Sequence, residues 1–388
     1  MTAEGTRANA PGPVLVVGAG HVGCYLGGRL QTAGVKVDFV GRPAVFDDLA
    51  HHGLRLTDLN GQRWHLTPAS LRLHASLPKG AQPALVLLCV KRPALSTARP
   101  QETPVLCWQN GLFPLPDATR AAPQLQLLPA MVPFNVVRRG PGHYHQGTAG
   151  NLAAQASARL LPWQSVFQRA GLPLTLHADM RPVQWGKLLL NLNNPVNALS
   201  GLPLRAQLLD TDHRRRYAGL VEEALHLLRL AGVEPQRMTP LSWDRFLRVL
   251  RLPTPLFRLV AFRMLRMDAH ARSSMADDLI AGRPTEIDAL CGEVLRLAQG
   301  AGQDGTAERS VGAGHPARQR ASKRSVMKRQ CAALTGVIDS LLPRCRTSRS
   351  ANSGVARSSG RPIRRVFSTA CTSSSSQRGA SGLDLLSK

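Results

Sequence analysis

Val14-Leu15-Val16-Val17-Gly18-Ala19-Gly20-His21-Val22-Gly23 is the stretch that decides the fold. Four apolar residues in a row read as a strand buried on both faces, as in a parallel sheet. Gly18-x-Gly20-x-x-Gly23 follows without a loop, and a helical pattern then runs to Ala33-Gly34. Glycines at this spacing are a weak signal alone. Between a strand and a helix in a βαβ unit they predict a dinucleotide-binding turn. The first glycine permits the tight turn and the second lets backbone approach a pyrophosphate. The third lets the helix pack closely on the strand, and the helix N-terminus offers free N–H groups and partial positive charge to the phosphates.

Outward from this turn, a second strand, Val35–Val40, stops at Gly41-Arg42-Pro43. An NAD site normally carries Asp or Glu at that strand end for the ribose hydroxyls. Asp38 lies too early, inside the strand, and Arg42 instead offers a planar fork for a 2′-phosphate, so NADP(H) is the expected cofactor. Residues 54–77 alternate apolar and polar around Asn60-Gly61, which predicts a hairpin. Ala84–Val90 and Pro104–Trp108 are further apolar strands, ending at Lys91 and at Gln109-Asn110-Gly111. Strands alternating with helices imply a doubly wound α/β sheet.

The pattern changes near residue 179. Helical periodicity dominates over Val183–Leu199, Arg214–Leu230, Leu241–Leu250 and Glu286–Ala298. The expected organisation is a flexible leader over 1–12, a Rossmann-type dinucleotide-binding domain over 13–178, an all-helical substrate domain over 179–302 and a basic tail over 303–388.

At 388 residues the chain can bury two cores, and with 4% aromatic residues those cores must be mostly aliphatic. The net charge of +25 is unevenly spread. Residues 303–388 carry 16 Lys or Arg against four Asp or Glu, whereas the first 302 carry 33 against 20. Nucleic-acid binding is therefore disfavoured as the main function, and the milder Arg excess suits anionic substrates and a phosphate-rich cofactor. The tail is rich in Ser, Arg and Gly, with the run Ser373–Ser376, and reads as disordered apart from one apolar piece, Cys331–Leu342. Three accounts of it stand: a shifted reading frame near Gly302, a basic extension that meets nucleic acid or anionic membrane, or an inert tail. Seven cysteines without a CxxC pair argue against a disulfide framework or a zinc site and favour a reducing compartment. No apolar h-region opens the chain and no apolar run is long enough to span a bilayer, so it reads as cytoplasmic.

Four further motifs join the glycine turn: Lys91 and Gln109-Asn110-Gly111 at strand ends, then Trp185-Gly186-Lys187-Leu188-Leu189-Leu190-Asn191, and Ser273-Ser274-Met275-Ala276-Asp277-Asp278 followed by Pro284-Thr285-Glu286-Ile287-Asp288. With these, residues 13–302 resemble the ketopantoate reductase (2-dehydropantoate 2-reductase) family. The resemblance implies an NADP-dependent oxidoreductase that reduces 2-dehydropantoate to pantoate, a step towards pantothenate and coenzyme A. It implies Lys187 as general acid, Glu286 on the substrate hydroxyl, and Asn110, Asn191 and Ser274 lining the substrate or cofactor site. Gly18, Gly20, Gly23, Arg42, Lys91 and Asn110 are the implied cofactor contacts. Where members of the family carry a second amide four residues after the first, this chain has Pro195; either the loop is one residue shorter or Asn194 takes that role. A reductase of the same fold with another 2-keto acid stays open as an alternative, as does a catalytically impaired product with a nucleic-acid-binding tail. The implied partner is a small 2-keto acid, with no membrane; a homodimer is entertained as the assembly.

Overall fold

The computed structural model describes residues 11–90, 103–112, 125–262, 264–265, 267 and 271–301. Lys91 and the basic tail lie outside the described residues. The described chain falls into two compact units that meet in sequence between Trp185 and Gly186.

The first unit is built on an eight-stranded sheet. Its strands are β1 (Val14–Val17), β2 (Val37–Val40), β5 (Arg72–His74), β6 (Leu85–Leu88), β7 (Pro104–Cys107), β8 (Gln126–Met131), β11 (Leu152–Gln155) and β12 (Leu174–His177), in spatial order β12-β11-β8-β7-β6-β1-β2-β5. β1 pairs in parallel with both β2 and β6, and β7 and β8 continue in parallel beyond β6. The chain thus goes to one side of β1 for β2 and to the other for β6, which opens a crevice at the carboxyl ends of these strands, beside Gly18. A second sheet, in order β4-β3-β10-β9, comprises β3 (Leu54–Thr57), β4 (Arg63–Leu66), β9 (Val136–Gly140) and β10 (His143–Gln146). The expected hairpin forms, with Thr57 opposite Arg63, but it ends at Leu66. The rest of the predicted segment leaves it: β5 joins the main sheet in parallel with β2, where Asp38 takes Arg72 at 3.0 Å and His74 at 2.7 Å.

Helix α1 (His21–Thr32) packs on the main sheet through Cys24, Leu26 and Leu30, all fully buried with Val14, Val16 and Phe39. Helices α2 (Pro43–His52) and α3 (Leu161–Arg169) are the other α-helices of the unit among the described residues. The opposite sheet face buries Leu15, Val86, Val105 and Cys107.

The helices α4 (Arg181–Asn191), α5 (Asn193–Ser200), α6 (Leu204–Leu209), α7 (Thr211–Leu230), α8 (Trp243–Arg251), α9 (Thr254–Val260), α10 (Ser274–Ile280) and α11 (Ile287–Ala301) follow. The single helix expected over 183–199 is broken at Leu192, three residues before Pro195, which has no N–H to donate. The break frees carbonyls at the end of α4, and the Tyr217 hydroxyl on α7 donates to that of Leu190 at 3.1 Å.

Short helices expose many end carbonyls, and Arg214 collects several of them. Its guanidinium is fully buried. It donates to the carbonyls of Leu208 at 2.8 Å, Leu250 at 3.1 Å and Leu252 at 2.8 Å, and lies 4.3 Å from the Phe257 ring centroid. A cation is favoured here because these carbonyls mark the C-terminal, negative ends of α6 and α8. Arg214→Met keeps an unbranched apolar stem and strands three buried acceptors. It is expected to lower the unfolding free energy by about 3–5 kcal/mol, read as an earlier urea midpoint.

Candidate active site

The turn after β1 is shaped by what a side chain would hit. Gly18 has φ +104, and a Cβ there would lie 2.9 Å from the Cys89 backbone at the end of β6. At Gly23 a Cβ would collide with the Gly18 carbonyl oxygen, so α1 can begin against the turn only with glycine. Gly20 differs: a Cβ there meets no atom within 4 Å, and its backbone is extended, a conformation open to any residue. The protein itself does not require glycine at 20. Open space in front of an α1 N-terminus that lacks a side-chain cap fits a phosphate-bearing ligand approaching the backbone.

Arg42 follows β2 as the residue preceding α2, and its side chain is exposed. Gly41 beside it lies against Ala19 of the glycine turn, where a Cβ would come within 2.7 Å of the Ala19 Cβ. Asp38, the nearest carboxylate on β2, is engaged by Arg72 and His74. At the end of β7, Gln109 braces the strand edge by donating to the Val90 carbonyl at 3.1 Å, and Asn110 is exposed on the next turn. The structure therefore brings Gly18, Gly20, Gly23 and Arg42 to one end of the sheet, with Asn110 at the same edge.

In the helical unit, residues 187, 190, 191 and 194 are half-buried while 188, 189, 192 and 193 are buried. That is i, i+3, i+4, i+7, one stripe of a helix. Leu192 keeps helical dihedrals (φ −61, ψ −13), so the phase carries across the break. Lys187, Asn191 and Asn194 thus share one stripe, and the one-residue-shorter spacing before Pro195 keeps Asn194 on it. The Lys187 ammonium is desolvated by burial, which pulls its pKa from 10.5 to about 8. Gly186 makes the neighbouring approach possible, since a Cβ there would collide with the Gln236 carbonyl.

Ser274 is exposed in the first turn of α10. Its neighbour Ser273 is the buried one, capping α10 by accepting from the Ala276 N–H at 3.2 Å and donating to the Asn194 carbonyl at 3.3 Å. Glu286 is half-buried just before α11, where its carbonyl accepts from the Ala289 N–H at 3.1 Å. Three fully buried polar residues, Asn197, Gln207 and Arg214, were not legible in the sequence. A polar residue inside a helical stretch reads as surface until its partners are known. Among the described residues no group of His, Cys, Asp and Glu could hold a metal, and no helix is long and apolar enough to cross a membrane.

Comparison with known proteins extends over both units. The family described as ketopantoate reductase PanE/ApbA matches residues 14–158, and its C-terminal part matches residues 179–307. A 2-dehydropantoate 2-reductase of Mesorhizobium japonicum is 27% identical over 319 residues, covering 73% of this chain and 90% of its own. The PanE/ApbA family ketopantoate reductase of Ralstonia eutropha superposes with a TM-score of 0.63 at 25% identity, over 85% of this chain and 99% of that one. A D-mandelate dehydrogenase solved with NADH and anilino(oxo)acetate shares the fold, with a TM-score of 0.60 at 17% identity over 86% of this chain and 99% of its own. The motifs, the order of the two units and these matches agree: the chain is a member of the ketopantoate reductase family of oxidoreductases.

Proposed function

We propose that this chain reduces 2-dehydropantoate to pantoate with NADPH. The observation that carries the reading is Lys187, half-buried, with its pKa drawn to about 8, on one helix stripe with Asn191 and Asn194.

The backbone of Gly18, Gly20 and the first turn of α1 would hold the pyrophosphate, and Arg42 the 2′-phosphate. Asn110 and Lys91 complete the proposed cofactor contacts. A reduced nicotinamide bound there supplies the hydride. Lys187 does the protein's share of the chemistry: charge grows on the keto oxygen as the carbonyl carbon is reduced, and a protonated amine stabilises that oxygen and then hands it a proton. With a pKa of about 8 the amine is mostly protonated at pH 7, yet parts with its proton more readily than an ordinary lysine. Asn191 and Asn194 offer amide donors to the substrate's carboxylate or keto oxygen, Ser274 a hydroxyl, and Glu286 an acceptor for its hydroxyl group.

A second reading, another 2-keto acid on the same machinery, is favoured by one observation: Pro195 stands where the resemblance expects the second amide. Asn194 keeps an amide on the stripe but one residue earlier.

Purified protein should oxidise NADPH on addition of ketopantoate, and Lys187→Ala should lose about 10²–10⁴-fold in kcat. A dead wild type that still binds NADPH, or turnover with other 2-keto acids alone, would select the second reading. In the reduction direction the active form is the protonated amine. The rate is expected to be flat below about pH 8 and to fall above it, while the reverse oxidation rises through the same value.

Arg42→Ala is expected to weaken NADPH binding about tenfold and leave NADH binding unchanged, measured by fluorescence titration. The glycines separate fold from ligand. Gly20→Ala should keep the wild-type urea midpoint and lose dinucleotide affinity, whereas Gly23→Ala should destabilise by about 1–3 kcal/mol before any ligand is added.

A further inference from the structure

The segment leading into α10 runs along α5 and the turn from α5 into α6, and is fastened to them at successive points. The Leu204 N–H donates to the Ala271 carbonyl at 2.8 Å, and Arg272 donates to the Gly201 carbonyl at 3.2 Å. The Ser273 N–H donates to Asn197 Oδ1 at 2.9 Å, and the Ser273 hydroxyl reaches the Asn194 carbonyl. Asn197 is the centre of this seam. It is fully buried, and its amide is used at both ends: Oδ1 accepts from Ser273 while Nδ2 donates to the Leu202 carbonyl at 2.9 Å. Ser273 therefore meets α5 at two residues one turn apart, which sets both the height and the rotation of the α10 first turn.

We propose that Asn197 is a positioning residue for the keto-acid site: its bridge from Leu202 to Ser273 fixes the α10 turn that presents Ser274 against the α5 turn that carries Asn194. The assignment rests on the keto-acid reading above. Asn197 is bonded to Ser273 and Leu202, so its effect should fall on keto-acid affinity and spare NADPH binding. The physical logic is that of a buried amide satisfied at both ends, which rigidifies because either broken bond leaves an orphaned group out of water.

The test uses the full chain with three readouts: the keto-acid KM, the NADPH dissociation constant, and hydrogen–deuterium exchange over residues 273–280. Asn197→Leu removes both bonds with a side chain of the same branching. It is expected to speed exchange in 273–280, to raise the keto-acid KM about tenfold, and to leave NADPH binding within twofold. Asn197→Asp keeps the acceptor for Ser273 and can restore the donor only as a neutral acid. Its KM should approach wild type as pH falls from 8 to 6, a recovery that a merely structural loss does not give. Should Asn197→Leu not fold, the pH-dependent recovery in Asn197→Asp decides the question. Faster exchange with an unmoved KM, or unchanged exchange, overturns the proposal. A wild type that reduces no 2-keto acid overturns the functional reading first, and this assignment with it. That case is told apart by its wild-type control.

Discussion

Helix α1 lies between two sheets at distances that side chains would forbid, and the first unit is arranged around that fact. A Cβ at Gly23 would strike the Gly18 carbonyl, one at Gly27 would press on Phe39 and Val16 of the main sheet, and one at Gly28 would press on Leu54 and Leu56 of the small sheet. Three glycines on one helix cost conformational entropy and helix propensity. The cost is offset by burial on both sides and by polar ties to the small sheet: Tyr25 donates to Gln146 at 2.9 Å, and the Arg29 guanidinium lies 3.6 Å from the Trp64 ring centroid. The consequence is chemical as well as mechanical. A helix held from two sides cannot retreat from the turn at its own N-terminus, so its free N–H groups stay aimed at the open space before Gly20. The packing that stabilises the helix would also preorganise the proposed anion site.

The helical unit reaches rigidity by another route. Its helices are mostly short, and every helix end carries carbonyls without partners inside the helix. Water cannot serve those that are buried. Arg214, Tyr217 and Asn197 do so instead, each a buried donor aimed at backbone carbonyls between helices. Asn193 and Gln207 add a reciprocal amide pair at 3.2 and 3.1 Å. Such networks specify one arrangement because any slippage leaves polar groups unsatisfied. The same rigidity matters to Lys187. A mobile surround would admit water and return the ammonium to ordinary solvation, so its lowered pKa depends on neighbours that cannot move aside.

What the sequence made legible follows from periodicity and from backbone chemistry. Apolar runs such as Val14–Val17 and Leu85–Leu88 announce buried parallel strands, and the glycine spacing announces the tight turn between strand and helix. β5 was hidden because three residues, Arg72-Leu73-His74, are too few to show alternation, and it is tied to β2 by side-chain contacts to Asp38 rather than by pattern. The break at Leu192 was hidden because helical dihedrals persist through it, keeping the apolar phase intact. Lys187, Asn191 and Asn194 stood out only through the family resemblance of their motif, and the structure adds that their half-buried positions fall on one stripe. The partition of labour between Ser273, a buried cap, and Ser274, exposed beside it, was not legible, since adjacent serines look alike until a helix start is fixed to the residue. Asn197 and Arg214 escaped for the most general reason: a polar residue is buried when distant backbone needs it, and that need arises only in three dimensions.

The proposed chemistry asks for two opposite electrostatic environments, and the chain builds each where its packing allows. Capture of an anionic cofactor and an anionic keto acid is a long-range matter. It would be served by cations left in water, the proposed Arg42 among them, and by the Arg excess of residues 1–302. Exposed cations act weakly one by one and are screened by salt, so they favour encounter and selectivity rather than reaction. Proton delivery is a short-range matter and gains from low dielectric, where one ammonium acts strongly on an oxygen that is gaining charge. Placing Lys187 in that environment destabilises its charged form, which is why the pKa falls. An acid that is costly to keep protonated is a better donor, provided it stays protonated at working pH, and a value of about 8 meets both conditions. A lysine moved out to the surface would keep its charge and lose its leverage, whereas one buried more deeply would lose the proton it is meant to give.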